Sequence, residues 1–168
     1  KNKKKIFLKS KQLSDSEVRS SIVQLFEKNG ITKERVILEG FSSRLDYFKA
    51  YNRVDIALDP FPFPGGTTSV EGMWMGVPVI TKKGHRFISH NGETIAMNSG
   101  QRDWIAKDEK EYIAKAIGFT SNLNLLSSIR SKLRMQLLSS PLMDAPRFAR
   151  NFETAINLMW KTYYEKNI

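Results

Sequence analysis

The sequence predicts an α/β fold: a Rossmann-like parallel sheet with helices on both faces, followed by a helical C-terminus. Three observations predict it. Short apolar runs alternate strictly with helical patterns over residues 5–81. The run "VDIALD" is apolar on both faces, as a strand covered by helices on each side is. Beyond residue 100 the strand pattern stops and three long helical patterns follow. Strands joined in this way by helices are parallel, with right-handed crossovers.

The elements follow in order. "KIFLK" (residues 5–9) is short, apolar and bounded by lysines, which predicts a strand. In "SDSEVRSSIVQLFEKNG", Ser14 and Glu17 have capping-box spacing, and Val18, Ile22, Leu25 and Phe26 recur at helical spacing until Gly30. "RVILEG" (35–40) is a second strand, and "SRLDYFKAYNR" (43–53) a helix with Leu45 and Phe48 inward. "VDIALD" (54–59) is a third strand, "TTSVEGMWMG" a short helix, and "VPVIT" (77–81) a fourth strand. "DEKEYIAKAIGF", "NLNLLSSIRSKLRMQLLSS" and "DAPRFARNFETAINLMWKTYYEKN" read as helices. Trp74, Trp104 and Trp160 fall on apolar faces and read as core. With no repeat, low-complexity tract or linker, one domain over residues 1–168 is expected.

Composition removes several classes of function. A 40% hydrophobic content with mixed charge is that of a folded chain, not a disordered one. No apolar run approaches the roughly 20 residues of a membrane helix, so no membrane partner is expected. There are no cysteines, which excludes disulfides and thiolate metal sites and fits a cytoplasmic location. The net charge of +10 suits either an anionic partner or a solvated basic surface. Its basic residues are spread along the chain apart from "KNKKK", which speaks against a nucleic-acid patch.

The chemistry concentrates in "DPFPFPGGTTSVEG". Ligands of a doubly wound sheet bind at the carboxyl ends of the strands, and Asp59 ends one. Pro60, Pro62 and Pro64 stiffen the exit. Gly65 and Gly66 let the backbone turn and approach a ligand with no Cβ in the way. Thr67 and Thr68 then stand at a helix start, where unpartnered N–H groups and the helix dipole favour an anion such as a diphosphate. Thr68 and Glu71 also have the spacing of a capping box, which needs no ligand, and spacing does not separate the two readings. The pattern is neither a P-loop nor a G-x-G-x-x-G fingerprint. Asp59 reads as a residue that holds the loop. Lys9 reads as a solvated charge, and His85 and His90 as surface and loop histidines, with a site role the second reading for His90.

With these residues in view, the chain resembles a known family. "IFLKSKQLSDSEVRSSIVQLFEKNGITKERVILEGF", "DIALDPFPFPGGTTSVEGMWMGVPVIT", "GHRFISHNGETI", "DWIAKDEKEYIAKA" and "SSPLMDAPRFARNFETAINLMW" resemble, in order, the C-terminal part of the O-linked N-acetylglucosamine transferases. The likeness is to their bacterial tetratricopeptide-repeat-linked members. It implies the C-terminal, UDP-sugar-binding half of a GT-B glycosyltransferase. It further implies inverting transfer of a sugar to Ser or Thr of a protein acceptor, with no metal and no cofactor beyond the donor. It puts Gly66, Thr67 and Thr68 at the phosphates, counts Gly65 with them as nucleotide-sugar-binding, where members often have Asn or His around the two glycines, and puts Glu71 at the ribose, where many relatives have Asp. It puts Arg44 and Tyr47 at the uracil and adjoining groups, where many have Lys and His. His90 stands where several have Arg. The family's N-terminal half, with its acceptor cleft, proposed catalytic histidine and repeats, is expected to precede this chain, so transfer by these residues alone is not expected. Other acceptors, an asparagine side chain or a glycan, or a non-catalytic interaction module on the same fold, are the alternatives.

Overall fold

The computed structural model describes residues 4–166. Lys1 to Lys3 of the basic N-terminal run and the last two residues lie outside the described residues. Contacts divide the chain into two compact units, residues 1–54 and 55–168.

In the first unit, β1 (Ile6–Lys9) pairs in parallel with β2 (Val36–Glu39), Ile6 opposite Val36 and Lys9 opposite Glu39. The crossover between them is α1 (Ser16–Lys28). Its N-cap is Asp15, whose carboxylate accepts from the N–H groups of Glu17 and Val18, and not Ser14 as the spacing predicts. Ser14 lies in a preceding 3-10 turn and its Oγ accepts from Phe41 N–H, a tertiary partner that local spacing does not reveal. Val18 and Leu25 are exposed, while Ile22 and Phe26 are half-buried. Lys9 is not solvated. Its ammonium donates to Glu39 and to the Gly40 carbonyl, each at 3.3 Å, because parallel pairing sets it directly opposite Glu39. After β2 the chain enters α2 (Arg44–Ala50), capped by Ser43 Oγ, which accepts from Asp46 N–H. Leu45, expected inward, is 64% exposed; Ala50 is the buried residue of this helix and Phe48 is half-buried.

In the second unit, β3 (Ala57–Leu58), β4 (Val79–Lys82) and β5 (Ile105–Ala106) form a parallel sheet in that order. The expected third strand is only two residues long, and Leu58 is exposed, so it is not covered on both faces. The crossovers are α3 (Thr67–Trp74) from β3 to β4 and α4 (Asn91–Asn98) from β4 to β5. The sequence reading assigns no element to α4, and β5 lies beyond residue 100, where only helices are expected.

Helices α5 (Glu109–Ser121) and α6 (Leu123–Leu138) complete the core. Asp108 and Asn122 cap them, accepting from Glu111 and Leu125 N–H. Met73, Val79, Ile95, Trp104, Leu133 and Leu137 pack together, with Trp74 half-buried against them. A second cluster joins Ile80, Ala106 and Tyr112. The final helix α7 (Ala145–Lys166) buries none of its residues. Trp160 lies on it and is 63% exposed, so it is not core: its apolar stripe finds no cover among the described residues.

Candidate functional site

The site is built where β3 and β4 end side by side. Parallel pairing brings their carboxyl ends together, so the loop into α3 (residues 59–66) and the loop into α4 (residues 83–90) share one edge. Side chains tie the two loops. Ser89 Oγ donates to the Pro62 carbonyl at 2.8 Å, and Asn91 Nδ2 donates to the Gly65 carbonyl at 3.0 Å.

Asp59 is the anchor of this edge, 5% exposed. Its N–H donates to the Ile80 carbonyl at 2.9 Å, continuing the ladder. Its carbonyl accepts from the Tyr112 hydroxyl at 2.7 Å. Carboxylate oxygen Oδ1 accepts from Gly65 N–H at 3.1 Å and from Ser69 Oγ at 2.8 Å. The carboxylate thus joins both ends of the Gly-Gly-Thr-Thr segment. Among the described residues, oxygen Oδ2 and Thr81 Oγ1 are buried with no hydrogen bond of ordinary geometry, both beneath Gly92. A Cβ at Gly92 would lie 2.8 Å from Asp59 Oδ2 and collide with Thr81 Oγ1. Burial raises the Asp59 pKa, against the opposing pull of the Ser69 and Gly65 bonds. Burial, then the Asp59 charge, pushes the Tyr112 hydroxyl pKa up as well.

Gly65 is required by this packing. A Cβ there would collide with Ser69 Oγ and lie 3.0 Å from Asp59 Oδ1. Gly66 is the N-cap of α3, and among the described residues no side-chain cap bond is made at that position. Thr68 therefore lies inside the first turn, so the local capping box centred on Thr68 is not how this helix begins. Thr67 and Thr68 are exposed at the helix start, and Glu71 is half-buried one turn on. Positions i+3 and i+4 share a face, so Glu71 stands on the side of Thr67 and Thr68. The edge therefore gathers backbone N–H groups, the Thr67 and Thr68 side chains and, one turn on, Glu71. This set suits an anion with an attached polyol.

The lysines beside the loop are engaged. Lys82 lies 4.0 Å over the Phe61 ring and pairs with Glu109 at 3.3 Å. Lys83 pairs with Glu93 at 3.0 Å, and His90 Nδ1 lies 2.7 Å from the other Glu93 oxygen. The His90 bond, ahead of the Lys83 pair, holds the Glu93 pKa below its ordinary value. Among the described residues, no group of three or more His, Asp or Glu is placed to hold a metal.

Arg44 and Tyr47 lie in the first unit, one turn apart at the start of α2. The Arg44 guanidinium stacks 4.9 Å from the Phe48 ring centre, and the Tyr47 hydroxyl lies 2.8 Å from that of Tyr51.

Residues 15–152 match Glycosyl transferase family 41. The chain belongs to that family. Over 165 residues it is 32% identical to a tomato (Solanum lycopersicum) protein named probable UDP-N-acetylglucosamine–peptide N-acetylglucosaminyltransferase SPINDLY, covering 98% of this chain and 18% of that protein. It is 24% identical over 136 residues to the Caenorhabditis elegans UDP-N-acetylglucosamine–peptide N-acetylglucosaminyltransferase, covering 81% of this chain and 12% of that protein. A solved structure of a mutant Thermobaculum terrenum O-GlcNAc transferase superposes with a TM-score of 0.89 at 30% identity, covering 98% of this chain and 32% of that one. The expected α/β fold, part of a GT-B architecture, is thus the one this family-41 chain shares with the solved structure. It spans less than a fifth of the length of these curated relatives.

Asn91 was not among the candidates that motif reading yields. Its only signal in the sequence is a place in the polar run "SHNGET".

Proposed function

We propose that this chain is the donor-binding part of a UDP-sugar-dependent protein glycosyltransferase, with a UDP-N-acetylglucosamine-like donor. The observation that carries the reading is the start of α3: a Gly66 N-cap with no side-chain cap bond among the described residues, at the carboxyl edge of a parallel sheet. The donor diphosphate sits against Gly65, Gly66, Thr67 and Thr68, and Glu71 accepts from the ribose hydroxyls. Arg44 and Tyr47 are the residues that the family resemblance assigns to the uracil. In the whole protein the acceptor is a Ser or Thr side chain of a protein or peptide, and transfer inverts the anomeric carbon. No metal takes part. N–H donors and hydroxyls held in place before reaction stabilise the charge that develops on the leaving UDP.

Two or three charge-assisted hydrogen bonds, at about 1.5–3 kcal/mol each, exceed the cost of association by only a few kcal/mol. Binding of UDP to this chain is therefore weak, with a Kd on the order of 1 mM, or about 4 kcal/mol. The test is a ¹H–¹⁵N NMR titration with UDP beside CTP and inorganic pyrophosphate. UDP should shift the amides of Gly65 to Glu71, and Thr67→Ala/Thr68→Ala should abolish this in a folded protein. Shifts under pyrophosphate alone would reduce the loop to a general anion site. The shifts of Arg44 and Tyr47 are read separately and test the assignment of the base.

A further inference from the structure

The loop holds one peptide unit in a defined orientation, and the residue that orients it lies outside the loop. Both polar groups of Gly65 are bonded: its N–H to Asp59 Oδ1 at 3.1 Å and its carbonyl to Asn91 Nδ2 at 3.0 Å. The Gly65–Gly66 peptide is trans; among the described residues the cis bond is Phe61–Pro62. In a planar trans peptide the carbonyl and the following N–H point in opposite directions. Drawing the Gly65 carbonyl toward α4 therefore turns the Gly66 N–H away from α4. Among the described residues no acceptor lies on that N–H. Gly66 is also where a side chain would press on Asn91, at 3.2 Å from Nδ2. The glycine and the amide are matched. Without the amide, the two-glycine segment has no bond to hold this plane, because glycine populates both signs of φ.

We propose that Asn91 is a positioning residue for the donor: through the Gly65 carbonyl it fixes the peptide plane that presents the Gly66 N–H to a diphosphate oxygen. The inference rests on the donor-binding reading above. It goes further in assigning to the first residue of α4 the orientation of a donor group on the loop before α3. Asn91 itself is exposed and bonds to the backbone, so its side chain need not touch the ligand.

The test compares the wild-type chain with Asn91→Ala and Asn91→Asp by NMR titration with UDP and with inorganic pyrophosphate. Melting temperature shows that each variant is folded. Asp keeps the size of Asn and suits a helix start, so it serves if Ala disturbs α4. A carboxylate cannot donate to the carbonyl. Both variants should weaken binding roughly five- to tenfold, the loss of one hydrogen bond. Both should also lose the ligand-induced shift of the Gly66 amide, while shifts at Thr67 and Thr68 persist. A purely structural role for Asn91 would move the melting temperature and leave the Gly66 response intact. Folded variants with wild-type affinity and a wild-type Gly66 response would overturn the inference and leave the donor reading standing. A wild-type chain whose Gly66 amide answers neither ligand would overturn both. A response to pyrophosphate but not to UDP, lost in the variants, would overturn the nucleotide reading and support the role of Asn91 toward a diphosphate.

Discussion

Asp59 makes a prediction at the scale of one residue. Its carboxylate is buried, and burial raises its pKa above the ordinary value. The folded protein therefore holds that proton more tightly than the unfolded chain. The associated stability is complete below the ordinary carboxylate pKa and is lost as pH rises through the raised one. Asp59→Asn is neutral throughout and still offers one oxygen to Gly65 and Ser69. Its melting temperature should gain on wild type across that same interval, and a scan from about pH 3 to 8 reads this. A constant difference would sink the argument. Asp59→Ala removes the acceptor of Gly65 N–H and Ser69 Oγ and should cost about 1–3 kcal/mol at any pH, measured by urea unfolding. That Asp59 holds the loop was legible from its place at the end of an apolar run before the glycines. The bond of Ser14 to Phe41 N–H was not legible, because spacing within 14–17 cannot show a partner 27 residues away.

Elements carry two further predictions. Gly92 lies in the first turn of α4, against Thr81 Oγ1 and Asp59 Oδ2. Gly92→Ala must push β4 and α4 apart, and should cost about 1–3 kcal/mol despite the better helix propensity of alanine. A neutral or stabilising result by thermal melt would contradict this packing. Glu93, also in the first turn of α4, is bonded to His90 and paired with Lys83. Its lowered pKa contributes stability above the ordinary carboxylate value, lost as pH falls through the lowered one. Glu93→Gln should therefore lower the stability at pH 7, by less than about 1 kcal/mol, and the difference should shrink as pH falls below the ordinary carboxylate range, read by thermal melts. The elements read best from sequence were those with a sustained period: α1, α5, α6 and α7 stand within a few residues of their apolar spacing. Strand β5 was missed because two residues are too few to show alternation; its pairing with β4 makes it a strand.

For the whole molecule, ligand linkage supplies the check. With a Kd near 1 mM, UDP at about 10 mM should stabilise the chain by about 1.4 kcal/mol and raise its melting temperature by a few degrees. CTP at the same concentration should do less. Equal shifts would mean that the base contributes nothing. Fold class, family and the Gly-Gly-Thr-Thr segment are all legible in the sequence alone, since each depends on local period or on residues adjacent in the chain. Trp160 and Leu45 show the limit: apolar spacing states which face a helix prefers to bury, but cover depends on what packs there, and both are exposed. The same holds at the loop. Adjacent residues announce a helix start after two glycines. That Gly66 rather than Thr68 caps it, that Asp59 joins Gly65 to Ser69, and that Asn91 turns the Gly65 carbonyl are decided in three dimensions. Parallel pairing of β3 with β4 brings together loops some 25 residues apart in the chain, and no local pattern encodes that meeting.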